Sequence, residues 1–192
     1  MGRIHGLTGF LIFAKEIFAH PARVGAIFPS SKGLAKEMAQ QIVLPVPADK
    51  FILELGAGTG VMTQALINHG IPSKQIIAVE RAKNLAQHLE QRFPESQIIQ
   101  GDAQHLSELL QNKAHQIGAV VSSLPLRSLP SEMVSAIGDQ LADILEKDTP
   151  FIQFTYSFSN EHTAPSPHLK PQHTKRIWFN VPPARVEVYS WV

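Results

Sequence analysis

The chain contains no cysteine, which excludes disulfides, thiolate nucleophiles and zinc–thiolate sites and suits a reducing compartment. It has no uninterrupted stretch of about 18 apolar residues, so no segment reads as bilayer-spanning. The short apolar run Leu11-Ile12-Phe13-Ala14 stops at Lys15 and Glu16, and no small-residue cleavage site follows, which argues against a secretory signal. Met1-Gly2 opens like a myristoylation signal, but Gly6 stands where serine or threonine is required. Charge of one sign is also missing: 17 basic and 16 acidic side chains leave a net +1, so nothing global marks a nucleic-acid binder. There are no repeats, no linkers and no metal-ligand spacing. At 192 residues the length fits one domain, 1–192, with enough chain to bury a proper core.

What is present is concentrated in Phe51-Ile52-Leu53-Glu54-Leu55-Gly56-Ala57-Gly58-Thr59-Gly60. Five mostly apolar residues are too few for a helix yet enough for a buried parallel strand. Three glycines then alternate before helix-forming sequence resumes, the pattern of a loop with positive φ angles whose backbone touches a ligand over a helix N-terminus. A glycine turn without a ligand is the plainer reading, and a carboxylate about 20 residues on separates the two. Glu80, at the end of the apolar run 75–79, fills that position and can accept both ribose hydroxyls of an adenosine-containing cofactor. The glycines do not follow the G-x-x-G ending of a dinucleotide fingerprint. Glu54 and the G-x-G-x-G of Gly56, Gly58 and Gly60 resemble the first motif of the S-adenosylmethionine-dependent methyltransferases, whose loop receives the amino-acid end of the cofactor. The missing cysteine then excludes cysteine-based pyrimidine methylation.

Ahead of this motif, apolar residues recur with helical spacing over 4–18. They suit either a helix packed on the domain or one lying in a membrane interface, with Arg3, Lys15 and Arg23 drawn to anionic lipid. The spacing predicts a further helix over about 32–44 capped by Ser30 or Ser31, ended by Pro45-Val46-Pro47. Beyond the motif, helices are expected over 61–69, 82–93, from near Gln104, and over 131–147 with Ser131 as cap. Strands are expected to end at Glu80 and to cover 97–100, 118–123, 151–156, 175–180 and 185–191, with a loop over about 159–173. The fold class is therefore α/β: a Rossmann-like seven-stranded sheet with helices on both faces, closed by a β-hairpin and preceded by an N-terminal helical extension. Asp102 caps the helix near Gln104. In methyltransferases the same position meets adenine, the carboxylate accepting from the exocyclic amine and the Ala103 amide meeting a ring nitrogen.

The loop Ser123-Leu124-Pro125-Leu126 follows the fourth strand and should face the methyl group, because ligands bind off the carboxyl ends of parallel strands. Enzymes that methylate the amine of adenine place Asn or Asp, Pro and an aromatic ring there. Here Ser123 replaces the amide and Leu126 the ring, so a base would lose a stacking contact of roughly 1–3 kcal/mol. The chain also ends soon after the last strand, without the helical extension of ribosomal-RNA adenine dimethyltransferases. Both features count against RNA.

Four segments, Val24-Gly25-Ala26-Ile27-Phe28-Pro29-Ser30-Ser31, the Ser123–Leu126 loop, the strand over 151–156 and the end segment over 178–186, resemble the bacterial phospholipid N-methyltransferases. The resemblance implies transfer from S-adenosyl-L-methionine, leaving S-adenosyl-L-homocysteine, to phosphatidylethanolamine or its partly methylated forms on the way to phosphatidylcholine. It implies a peripheral enzyme at the anionic inner face of the cytoplasmic membrane, with residues 1–44 as a helical region that anchors it. Ser30 or Ser31 would help hold the methionine end of the cofactor, and Arg81 and Ser122 would complete its site. Carbonyls of Leu124 and Pro125 would orient the amine, and Tyr156 would meet the growing positive charge unless it is simply a half-buried sheet residue. His162, His168 and His173 either relay a proton, meet lipid phosphate together with Lys170, Lys175 and Arg176, or form a solvated face. Alternative acceptors are ribosomal-RNA adenine and small amines, and a cofactor-binding module without catalysis is a further reading.

Overall fold

The computed structural model describes residues 29–156, 164–178 and 183–192, with side chains from Lys32 onward. The expected helix over 4–18, the segment 24–28, His162 and residues 179–182 lie outside it. Seven strands form one sheet in the order β3-β2-β1-β4-β5-β7-β6: β1 Phe51–Leu55, β2 Ile76–Glu80, β3 Gln97–Gln100, β4 Ile117–Ser122, β5 Pro150–Thr155, β6 Leu169–Ile177 and β7 Ala184–Trp191. Strands β1 to β5 are parallel, while β7 and β6 run antiparallel and make the closing hairpin. The expected fold class is the one observed.

Alternation along each strand divides the core in two. Leu53, Leu55, Val79, Val120, Phe151 and Tyr189 pack on one face beneath α4 (Leu106–Leu110) and α5 (Ser131–Ile144). Ile52, Ile76, Val121, Ile152 and Val186 pack on the other, under α1 (Pro29–Ala39) and α2 (Val61–His69). Helix α3 (Lys83–Arg92) closes that second face at the β2–β3 end through Leu89, with Phe93 following it. The strand order reverses between β1 and β4, which creates a switch point at their carboxyl ends.

Several boundaries differ from expectation for identifiable reasons. Helix α1 begins at Pro29, a residue suited to the first helical position, so Ser30 and Ser31 sit in its first turn and not at the cap. It also ends at Ala39, and Val43 is 85% exposed after the turn that follows. Ser131 is likewise the first residue of α5, preceded by Pro130 without a side-chain cap, and α5 ends at Ile144. The largest difference is β6, which begins at Leu169 inside the stretch expected to be loop. Its residues from Lys170 to Arg176 are exposed, so the strand carries no apolar alternation to read. Backbone pairing to β7 makes it a strand, and a register shift between Pro171 and His173 accommodates the proline on this edge.

Candidate active site

Both loops that matter leave the sheet at the switch point. Ser123 N donates to Leu55 O at 2.9 Å, so the chain emerging from β4 lies directly against the chain emerging from β1. In the first loop Gly56, Gly58 and Gly60 have φ of +73°, +56° and +80°, the left-handed region that side chains disfavour. Their surroundings differ. A Cβ on Gly56 would come 2.7 Å from Leu124 Cδ2, and one on Gly60 would come 2.5 Å from the Phe93 ring, whereas one on Gly58 would meet nothing within 4 Å. Gly56 and Gly60 therefore permit packing, and Gly58 faces open space.

Glu80 fixes this loop. Its Oε2 accepts from Gly58 N at 2.8 Å and its Oε1 from Ala82 N at 2.8 Å, in a side chain that is largely buried. Arg92 Nη1 donates to Thr59 O at 2.8 Å from outside. Glu54 lies beneath the loop, fully buried, with Oε2 accepting from Thr63 Oγ1 at 2.7 Å. Its Oε1 has no hydrogen-bond partner. Burial pushes the Glu54 carboxyl up to about 7, against the hydrogen bonds from Thr63 that pull it down and with a smaller upward push from the charge of Glu80.

At the tip of β3, Asp102 Oδ1 accepts from Gln104 N at 3.0 Å, which confirms its capping role. Ala103 is buried beside it. Arg81 stands 3.7 Å from Asp102 Oδ2 with its side chain 73% exposed.

The second loop is fastened by other means. Ser122 is buried, and its hydroxyl accepts from Leu124 N at 3.3 Å. Leu124 O accepts twice, from Leu126 N at 2.9 Å and from Gln153 Nε2 at 2.9 Å, so both its lone pairs are engaged within the fold. Pro125 O accepts from Ser128 N at 2.7 Å. Leu126, at the position where an aromatic platform would stand, is buried in the core. Tyr156 follows β5 on the sheet face opposite Gln153, its ring edge-on to Phe154 at 5.2 Å.

The structure thus brings Glu54, the three loop glycines, Glu80, Asp102, Ala103 and Ser122 to Pro125 to the carboxyl ends of β1 to β4, with Tyr156 at the end of the neighbouring β5. Ser30 and Ser31 lie in the first turn of α1. The late histidines His168 and His173 are exposed, the first with its ring 5.6 Å from that of Trp191. Lys175 pairs with Glu37, and Arg176 lies 5.7 Å over the Trp178 ring. Among the described residues no group of His, Asp and Glu is arranged to hold a metal ion, and no helix is long and apolar enough to cross a membrane. Thr63, Arg92 and Gln153 are contributors that sequence reading passed over. For Gln153 the available signal was a lone carboxamide inside the apolar strand Phe151-Ile152-Gln153-Phe154.

Comparison with known proteins agrees with this geometry. Among curated proteins the chain is 29% identical over 153 residues to an ornithine lipid N-methyltransferase of Singulisphaera acidiphila, covering 78% of this chain and 79% of that protein. It is 25% identical over 116 residues to ribosomal RNA small subunit methyltransferase A of a Hydrogenobaculum species, covering 60% of this chain and only 43% of that protein. Its fold matches that of a TehB-like SAM-dependent methyltransferase from Corynebacterium glutamicum with a TM-score of 0.59 at 14% identity, over 96% of this chain and 100% of that one. A family profile described as a methyltransferase domain matches residues 52–148, from β1 past the end of α5 and half of the chain. The chain accordingly belongs to the methyltransferase domain family and is an S-adenosyl-L-methionine-dependent methyltransferase.

Proposed function

We propose that the chain methylates the headgroup amine of a membrane lipid: that of phosphatidylethanolamine, or of its mono- and dimethylated forms, on the way to phosphatidylcholine. The observation that carries this reading is the acceptor loop, whose Leu126 is turned into the core where a base-stacking ring would be needed. The lipid N-methyltransferase relative, matched over most of its length, points to the same acceptor class. In this reading residues 1–192 act as one catalytic domain, residues 1–44 attach it to the anionic inner face of the cytoplasmic membrane, and the enzyme is peripheral.

The residues present fit S-adenosyl-L-methionine. Glu54 Oε1 is a buried acceptor without a partner, suited to the ammonium at the methionine end. Gly58 leaves open the space a side chain would fill, and Ser30, Ser31 and Ser122 would line the same end. Glu80 would take the ribose hydroxyls, and Asp102 with the Ala103 amide the adenine, with Arg81 alongside. When bound, the cofactor supplies an electrophilic methyl group on sulfonium and departs as S-adenosyl-L-homocysteine.

The chain's own task is to present a neutral amine. An alkylammonium has a reference pKa near 10, so roughly three units of unfavourable protonation stand between pH 7 and the nucleophile. Desolvation between the loop after β4 and Tyr156 lowers that barrier, and positioning does the rest. These residues would hold the amine nitrogen in line with the methyl carbon, so that the new carbon–nitrogen bond would replace the carbon–sulfur bond, whose electron pair would leave with sulfur. The nitrogen becomes positively charged, where the Tyr156 ring stabilises it, and it then releases a proton to water if one remains.

Transfer of radiolabel from S-adenosyl-L-methionine to phosphatidylethanolamine, to ornithine lipid and to ribosomal RNA tests the reading directly. Label in phosphatidylethanolamine is the expected result. Label in ornithine lipid alone would move the substrate within the amine-lipid class, and label in RNA alone would overturn the proposal. Co-sedimentation with anionic liposomes of the full chain, against a chain lacking residues 1–19, tests the attachment.

A further inference from the structure

We propose that Gln153 receives the methyl acceptor: its side-chain carbonyl accepts an N–H of the substrate amine while its amide nitrogen holds the loop after β4. This rests on the amine acceptor proposed above. Gln153 is 1% exposed and lies between Ile152 and Phe154 in a central strand, where a carboxamide is unfavourable unless each of its groups is bonded. Register places it on one rung with Leu55 and Ser122, the last residues of β1 and β4, directly below both loops.

Its orientation follows from its partners. Nε2 donates to Leu124 O at 2.9 Å and to Phe154 O at 2.8 Å. Both partners are carbonyls, so a flipped amide would set oxygen against oxygen, and the assignment is fixed. Oε1 is therefore about 2.2 Å from Nε2 by the amide bond lengths, and within about 5 Å of the Leu124 carbonyl. It is buried and has no partner.

Native folds rarely leave such an atom unmatched without a reason. Among the described residues, the other buried side-chain oxygen in this state is Glu54 Oε1. One stands beneath the donor loop and one beside the acceptor loop, on opposite faces of the sheet. The cofactor ammonium answers the first, and the substrate N–H answers the second. Ser123 leaves the loop without a side-chain carbonyl of its own, and the Leu124 carbonyl is already filled. A neutral carboxamide also suits the chemistry: it orients the amine through N–H and adds no negative charge that would favour the unreactive ammonium.

The number of N–H groups makes the idea testable. A neutral primary amine has two, the monomethylated amine one, and the dimethylated amine none. With the full-length protein and phosphatidylethanolamine, its monomethyl and its dimethyl forms in mixed micelles, Gln153→Leu should lower kcat/KM on the first two by roughly 10-fold or more beyond its loss on the third, which registers the broken loop clamp alone. Cofactor affinity by calorimetry should stay within about twofold of wild type. Equal loss on all three acceptors, or no loss, overturns the proposal and leaves Gln153 as a loop clamp. Should the leucine variant not fold, Gln153→Glu keeps an acceptor oxygen but adds charge. It should move the pH–rate profile for the primary amine to higher pH, and an unmoved profile overturns the proposal. A wild-type protein inactive on all three lipids and on ornithine lipid sinks the amine-lipid reading and this one together; an active wild type with uniform loss in the variant sinks this one alone.

Discussion

The loops after β1 and β4 touch each other, yet they are held by different physics. The first is a backbone device. Its glycines supply the curvature, and Glu80, whose own strand end lies beside it, pins the Gly58 amide from a fixed distance along the chain. The second is a side-chain device: Leu124 is held by Gln153 from a strand that begins after the whole of α5. The first loop is thus built from backbone and a carboxylate nearby in the sheet, and the second from a side chain that reaches it across strands distant in the chain.

The contrast breaks most visibly at Gly58. Gly58→Val places a β-branched residue at φ +56° in the open space of the first loop. It should weaken cofactor binding by roughly 100-fold or more, as measured by calorimetry, while the melting temperature falls by only a few degrees. Affinity within about threefold of wild type would mean that this loop is not the cofactor cradle. The same change at Gly60 would strike Phe93 and Leu89 and should instead appear as lost stability.

A smaller effect sharpens the difference through pH. The Glu54 carboxyl stands at about 7 in the fold, above its ordinary value of 4.5, so the folded state favours the protonated form. Its contribution to stability is complete below about pH 4.5 and is lost as the pH rises through 7, with an upper bound of roughly 3 kcal/mol. Urea unfolding at pH 5 and pH 8 should show that loss in the wild type and not in Glu54→Gln. A saturating cofactor should reduce it, by giving the ionised carboxylate a partner.

The smallest expected change is at Arg92, an exposed side chain that donates to Thr59 O in the first loop. Arg92→Ala should cost about 0.5–1 kcal/mol of cofactor affinity, seen as a two- to fivefold rise in Kd. A loss as large as that at Gly58 would show that the first loop also depends on side chains.

Much of this was legible before any coordinates. The β1 strand, the glycine loop and Glu80 form one local pattern, and the distance from Gly60 to Glu80 is set by the length of a crossover helix and a strand. Asp102 was readable as a cap because its partner Gln104 is two residues away. Strand β6 was not readable, since an edge strand exposed along its length bears no hydrophobic period. Gln153 left only a faint trace: a single polar residue in a strand reads as a surface position, and nothing local reveals that it is buried and ties down the loop after β4.

The sequence by itself determined the α/β architecture, the glycine loop and the carboxylates Glu54 and Glu80 beside it, because backbone curvature, strand burial and capping are properties of neighbouring residues. Only the tertiary structure decided that Leu126 turns inward, that the Leu124 carbonyl is already satisfied, and that Gln153 carries a buried oxygen with nothing to bond. Those facts depend on which strands become neighbours in the sheet, and hydrogen-bond satisfaction across strands far apart in the chain leaves no periodic trace in the order of residues.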